Sequence, residues 1–415
     1  MKEKEKELYS KVHVAKSIKF IVEKTSDNNI KLNENDKFSY NLTTILTRDR
    51  EVVAVNLTIC SNSCIIYISK NGTWIKEDIE YIEKIQKYLR SISNYGPISW
   101  MDAMDRKDTK TLSNQVIKYC SVKFDSRFGK LKKDLNDGKD DNHIKSFIKY
   151  FSKKFYNIDE ASRLGISQIC CFYYKMIYKN SKIPKPFLKH LKKVGSYTGS
   201  LINIINCACN EKYRTLFSHI ELHKLNSVIT NQPIFSWKNI IQRFIFNYKK
   251  YQNFKDMCLD NPIIKNRLMQ IYGDIEKLDF ENINKRIYLH AEMNIATNII
   301  NKKIKTRTFI AVSKKCCYLC ELYIKFAQQE GYNIVISGSH KKIYHEWKLP
   351  DTTNIIFKSN SLTYIIKELD RIIRNEIESY TDLRMKSNSD EGSVDFNIIE
   401  DVDIDVAFDK FNILD

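Results

Sequence analysis

His290 and Glu292 are separated by one residue, Cys317 and Cys320 by two, and 24 residues lie between Glu292 and Cys317. One imidazole and two thiolates make a three-ligand zinc set. The fourth position of a tetrahedral ion is then open to water, as in catalytic rather than closed structural zinc. Zinc held this way lowers the pKa of water towards neutrality. Glu292 stands two residues beyond the histidine and is not expected to ligate. From the first turn of a helix it can reach that water and carry its proton. Both motifs open helical stretches, and helix N-termini favour thiolate over thiol. The competing use of the same residues is a closed zinc knot in which His290 or His340 joins the cysteines without catalysis, but a knot gives Glu292 no role. Cys316 is adjacent to the pair. The two-residue gap lets the sulfurs of Cys317 and Cys320 face one ion from a helix start, whereas Cys316 points elsewhere.

The elements that must position these residues are legible as changes in apolar period. Residues 40–70 read as strands, alternating around Arg48-Asp49-Arg50 and again through Cys64–Ser69 before Asn71-Gly72. From 77 to 281 apolar residues recur at three- and four-residue spacing, which predicts a helical block. Its Lys and Arg form either a solvated face or a basic groove beside Tyr150, Phe155 and Tyr173. From Ile287 the pattern predicts a helix over His290–Lys302, a strand over Arg307–Val312, a helix over Cys317–Glu330 with Gly331 at its C-cap, and a strand over Asn333–Ser337. Thr353–Phe357 reads as a further strand, followed by a long closing helix. The expected class is therefore α/β, a mixed sheet flanked by helices with a large helical insertion or accessory helical domain. The expected parts are a helical segment over 1–39, the first strands over 40–72, the helical block over 77–281, a zinc-binding catalytic core over 285–382 and an acidic flexible tail over 386–415.

His-x-Glu followed by Cys-x-x-Cys is the pattern of zinc nucleobase deaminases. With the flanks VSKKCCYLC and ISGSHKKIYHEWKLP, the chain resembles the cytidine-deaminase-like superfamily, and within it the OTT-type bacterial and fungal branch of nucleic-acid deaminases. The resemblance is firm over 285–350. Over 40–72, EVVAVNL and IIYISKNG resemble the first two strands of that domain, which implies that they share one sheet with 307–312 and 333–337 and that the helices are inserted. It implies hydrolytic deamination of cytosine or adenine in a nucleotide or single-stranded nucleic acid. Glu292 would pass a proton to the ring nitrogen and then to departing ammonia. Asn71 matches an asparagine that contacts the substrate sugar, though Asn-Gly is also simply a turn. His340 and Trp347 follow the strand that should return to the zinc face. His340 would hydrogen-bond the base or a phosphate, and Trp347 would stack on a base or pack inside. Superfamily members often carry proline where this chain has Cys316.

Charge points to the same partners. Lys and Arg exceed Asp and Glu by 68 to 50, a net +18, and the residues from Ser387 onward carry about −8, so the preceding chain carries about +26. A polyanionic partner is implied. Phe396, Ile398, Ile399, Val402, Ile404, Val406 and Phe408 in the acidic tail suit either docking over a basic channel or a solvated tail. No apolar run reaches the length of a membrane span, and the start MKEKEKELYSKVHVAKSIKF is charged, so neither secretion nor insertion is expected. Eleven cysteines without a leader predict reduced thiols and a cytoplasmic or nuclear location. A second function class is a catalytically inactive, zinc-stabilised, basic nucleic-acid-binding protein. Cys207 and Cys209 with His219 and His223 are spaced too tightly for a finger. Neither a P-loop nor a dinucleotide fingerprint is present, which argues against nucleotide hydrolysis.

Overall fold

The computed structural model describes residues 1–22, 31–155, 161–279 and 283–387, so the acidic tail lies outside the described residues. The chain is mixed α/β. Seven strands are present among the described residues: β1 (Val53–Ile59), β2 (Cys64–Lys70), β3 (Ile220–Lys224), β4 (Ile229–Ile234), β5 (Ile283–Tyr288), β6 (Thr308–Val312) and β7 (Ile334–Ile336), with sixteen α-helices between and around them. Five strands form one mixed sheet in the order β3-β2-β1-β6-β7, and β4 and β5 form a separate pair. β1 runs antiparallel to both β2 and β6, and β2 runs parallel to β3. The β1–β2 hairpin keeps one register from Val53↔Lys70 to Ile59↔Cys64, because the β-branched and aliphatic residues of both strands are largely buried.

Three expectations are corrected. Residues 40–45 are helical, as the end of a helix Glu34–Ile45. Asn33 opens it with a reciprocal capping box, its side chain accepting from Asp36 N–H at 2.9 Å while Asp36 accepts from Asn33 N–H at 3.0 Å. Phe38, Leu42 and Ile45 then share a buried face at helical spacing. Second, the helical block contains β3 and β4, so it contributes an edge to the main sheet and a partner to β5. Third, Ile355–Phe357 begin the closing helix Ile355–Ser387, with the Asn354 side chain accepting from Phe357 N–H at 3.0 Å as its cap.

The chain divides into two compact units. One comprises Lys31–Asn226 with Phe309–Ser313. It holds β1, β2 and β3 and a helical array around Lys185–Cys209. That helix packs on Arg163–Ile177 so closely at Gly195 that a Cβ there would stand 2.5 Å from Cys171 N, an approach only glycine permits. Among the described residues, the other unit comprises 1–22, 227–279, 283–308 and 314–387. Its N-terminal helix Lys2–Ile18 is buried from Leu8 onward except at half-buried Lys16, and is tied to the closing helix by Lys11 and Asp370 at 2.6 Å. This unit supplies both helices that carry the His-x-Glu and Cys-x-x-Cys motifs. No helix among the described residues is long and apolar enough to cross a membrane.

Candidate metal centre

β5 delivers the chain to His290 under firm constraint: Tyr288 N–H donates to Glu346 O at 2.8 Å and Leu289 N–H to Val228 O at 2.9 Å. His290 is the N-cap of the helix Ala291–Asn301, with extended backbone, and its carbonyl accepts from Asn294 N–H at 3.0 Å. Its imidazole makes no capping bond and is left for other work. Cys317 is the N-cap of the helix Tyr318–Gln329, its sulfur accepting from Cys320 N–H at 3.4 Å. The preceding residue is locked to the loop after β7, since Cys316 N–H donates to Gly338 O and Cys316 O accepts from His340 N–H, both at 3.1 Å.

These constraints bring three donors together. His290 Nδ1 lies 3.6 Å from Cys317 Sγ and 3.3 Å from Cys320 Sγ, and the two sulfurs are 3.3 Å apart. A tetrahedral zinc with ordinary Zn–S and Zn–N lengths needs donors about 3.5–3.8 Å apart, so a small expansion accommodates it. All three residues are buried, neither thiol is in a disulfide, and no other His, Cys, Asp and Glu group of this kind occurs among the described residues. The donor set fits zinc. Cys316 stays outside the group: burial pushes its thiol well up, and it is hydrogen-bonded to the Ser339 side chain.

The polar groups of the pocket hold one another's charge. Burial would raise the Cys317 thiol, but the hydrogen bond from Cys320, the His290 ring and the Cys320 amide together bring it well below its ordinary value. Cys320 moves up, through burial and the neighbouring Cys317 thiolate. Burial lowers His290, yet the Cys317 thiolate more than reverses this. Glu292 is 2% exposed, with Oε1 3.9 Å from His290 Nδ1 and Oε2 lacking any hydrogen-bond partner. Burial pushes its carboxyl up, the His290 ring opposes this and the Cys317 thiolate adds to it. It is a buried acid with a vacant oxygen beside the donors.

The loop after β7 returns to this pocket. His340 Nδ1 accepts from Lys342 N–H at 3.1 Å, which leaves Nε2 to carry the proton of the neutral ring, and burial lowers its pKa to about 4. Tyr344 is 37% exposed, its ring 6.1 Å from that of His290 and 5.4 Å from that of His340. Tyr288 stacks on His290 at 5.2 Å. Neither tyrosine is marked by motif spacing, although both flank residues that are. Trp347 is fully buried, within a short bridge to Tyr288. Asn71 belongs to the other unit, where its N–H donates to Val52 O at 3.2 Å. Lys341 adopts φ 58° and is buried, its ammonium 2.6 Å from Glu321 Oε1, so a strained residue anchors the loop to the turn that carries Cys320. Cys207, Cys209, His219 and His223 form no metal-binding group; His219 bonds Ser218 Oγ and His223 pairs with Glu221.

Comparison with known families meets this geometry in one stretch. Residues 289–351 match the family described as OTT_1508_deam-like deaminase. This segment is deaminase-like. It contains His290, Glu292, Cys317 and Cys320, as well as His340, Tyr344 and Trp347, whereas Asn71 and the helical block lie outside it. No curated protein and no solved structure matches the chain.

Proposed function

We propose that the chain is a zinc-dependent hydrolytic deaminase of a nucleobase, cytosine or adenine, presented in a nucleotide or in single-stranded nucleic acid. One observation carries this reading: a buried His-Cys-Cys donor set in a deaminase-like segment, with a buried carboxyl that has an unpartnered oxygen beside it. His290, Cys317 and Cys320 would hold the zinc, which supplies a Lewis acid that makes water a competent nucleophile near neutral pH.

The chain's own residues account for the proton traffic. Adding water to the ring carbon that bears the amino group releases one proton, which is delivered to the ring nitrogen. Breaking the C–N bond then requires a proton on the departing amine, and the hydroxyl of the adduct gives it up as the carbonyl forms. Glu292 relays both protons, since its burial raises the carboxyl towards the pH at which it both accepts and donates. Neutral His340, with Nε2 as donor, holds a carbonyl or phosphate oxygen of the substrate. Tyr344 offers an exposed aromatic face for the base. Charge favours a phosphorylated or polymeric substrate, because the chain carries a net +18.

The test is incubation of the purified zinc-loaded chain with mixed nucleosides, nucleotides, single-stranded DNA and single-stranded RNA, with mass-spectrometric detection of bases heavier by the exchange of NH for O. Conversion of at least one class, lost in Glu292→Ala with zinc retained, is expected. Binding of nucleic acid without conversion of any class would favour the inactive binding protein instead.

A further inference from the structure

Between the short helix Trp237–Ile241 and the helix Tyr248–Asp260 the chain makes a hydrogen-bonded turn: Arg243 N–H donates to Ile240 O at 3.1 Å, Phe244 N–H to Ile241 O at 2.9 Å and Ile245 N–H to Ile241 O at 3.0 Å. Asn247 caps the second helix, its side chain accepting from Lys250 N–H at 3.0 Å. Residues on either side anchor the turn, since Trp237, Ile241, Tyr251 and Phe254 are buried and Trp237 stacks on Phe254 at 5.9 Å. From this anchored turn Phe246 stands 91% exposed and Tyr248 65% exposed.

A phenylalanine ring held in water contributes no burial to the fold, so packing does not account for its place here. The surrounding stretch is basic: from Trp237 to Lys255 it carries Lys238, Arg243, Lys249, Lys250 and Lys255 and no acid. Arg243 pairs with Glu7 at 3.2 Å and Lys255 with Asp279 at 2.7 Å, whereas Lys249 and Lys250 are exposed and form no ion pair among the described residues. Two open rings followed directly by two open ammonium groups match a strand whose bases stack and whose phosphates need neutralising. A lipid surface or a second copy of the chain calls for a continuous apolar face. The helix Tyr248–Asp260 offers none, because its Tyr251, Phe254 and Cys258 are buried.

We infer that Phe246, Tyr248, Lys249 and Lys250 form a stacking platform for single-stranded nucleic acid, the rings taking bases and the lysines the phosphates beside them. The platform belongs to the same unit as His290, Cys317 and Cys320 and shares no residue with that group or with the loop after β7. Its use in substrate selection rests on the proposed function, which it narrows from a nucleotide or a polymer to a polymer. The binding itself stands on exposure and charge.

The experiment uses the zinc-loaded full chain and the fluorescence anisotropy of a labelled oligonucleotide of about 16 nucleotides, as single-stranded DNA, single-stranded RNA and DNA duplex. The variants are Phe246→Ala, Tyr248→Ala, Phe246→Trp and the pair Lys249→Gln with Lys250→Gln, with Ile356→Ala, an exposed apolar position of the closing helix, as control. Wild type should bind single strands more tightly than duplex. Phe246→Ala and Tyr248→Ala should each weaken single-strand binding about tenfold, as loss of one stacked base does, while Phe246→Trp and Ile356→Ala keep it. The lysine pair should flatten the slope of log K against log salt by about 1.4. Phe246→Ala should melt with wild type, because the ring it removes is already in water. Single-strand binding that ignores both aromatic variants, equal affinity for duplex, or no binding overturns the platform. So does a Phe246→Ala protein that binds oligonucleotide normally but loses self-association or attachment to phosphatidylserine vesicles, which assigns the ring to a second copy or to lipid. Binding that responds to the variants in a chain that converts no base keeps the platform and removes the deaminase reading; conversion of free nucleotides without oligonucleotide binding does the reverse.

Discussion

Glu292→Gln separates the cost of the centre from its use. The carboxyl is 2% exposed, one of its oxygens has no hydrogen-bond partner, and burial already raises its pKa, so the ionised form is held against its solvation preference. The amide has nearly the same shape and no charge to desolvate. A buried polar group left unpaired costs about 1–3 kcal/mol, and a charged one more. Because the amide also has a polar end to satisfy, the net gain on substitution is about 1 kcal/mol, or roughly 2–4 °C in melting temperature for a unit of this size. The rate should move the other way. A positioned proton carrier contributes about 10²–10⁴-fold, equivalent to roughly 3–5 kcal/mol of barrier, and kcat should fall with kcat/KM in proportion. The assays are base conversion by mass spectrometry on whichever substrate class wild type converts, zinc by elemental analysis, and thermal melts of chelator-treated protein. A variant that keeps zinc and more than a tenth of the wild-type rate would refute the proton-carrying role. A variant that loses zinc, or melts lower than wild type after chelation, would show that Glu292 is structural.

Cys320→Ser should lower bound zinc from one per chain to less than about a tenth by elemental analysis, because a hydroxyl does not replace a thiolate ligand; unchanged zinc would remove Cys320 from the donor set. His13 is fully buried, with Nδ1 donating to Tyr9 O at 2.7 Å and Nε2 unpartnered, and burial lowers its pKa to about 3. The unfolded chain therefore binds the proton first, so this stability is intact above about pH 6.5 and is lost as pH falls towards 3. By pH 4.5 the loss is about 2–3 kcal/mol, and His13→Gln should flatten that limb in urea titrations at pH 7.5 and 4.5; identical pH dependence in both proteins would contradict it. Gly195→Ala should cost about 1–3 kcal/mol, since its methyl would meet the Cys171 backbone at 2.5 Å. Circular dichroism during urea unfolding checks it, and a neutral substitution would mean that the two helices part easily.

The cluster of His290, Cys317 and Cys320 was legible because the chemistry of metal binding leaves so few choices. A histidine and two cysteines become ligands only where backbone geometry turns three donors to one point, and helix starts do this with short, fixed spacings: one residue from His290 to Glu292, two from Cys317 to Cys320. The sheet strands from 53 to 70 and from 308 to 336 were legible by the same local rule, since residues buried on a pleated surface leave an apolar run or alternation. Residues 40–45 were misread because Leu42 and Ile45 fit either period over so short a window, and the deciding term, the Asn33–Asp36 cap, lies outside the alternating run. β3 and β4 were missed for a complementary reason. Their exposed and half-buried positions carry no apolar alternation, and their pairing energy comes from β2 and β5, about 150 and 50 residues away along the chain.

Pairings at long sequence separation also explain why the surroundings of the candidate donors were harder to read than the donors themselves. Tyr344 reaches His290 only because residues 344–348 bridge to β5, and Trp347, in the same bridge, is turned inward. Spacing distinguishes neither ring from the other. The buried Lys341–Glu321 pair belongs to the same class: a buried lysine at φ 58° is costly, and the carboxylate one residue after Cys320 helps to hold it there. The loop that carries His340 is thus held by a charge pair seated on the turn that carries Cys320. The motif residues carry the proposed chemistry, and the contacts that set its geometry arise only when the chain has folded.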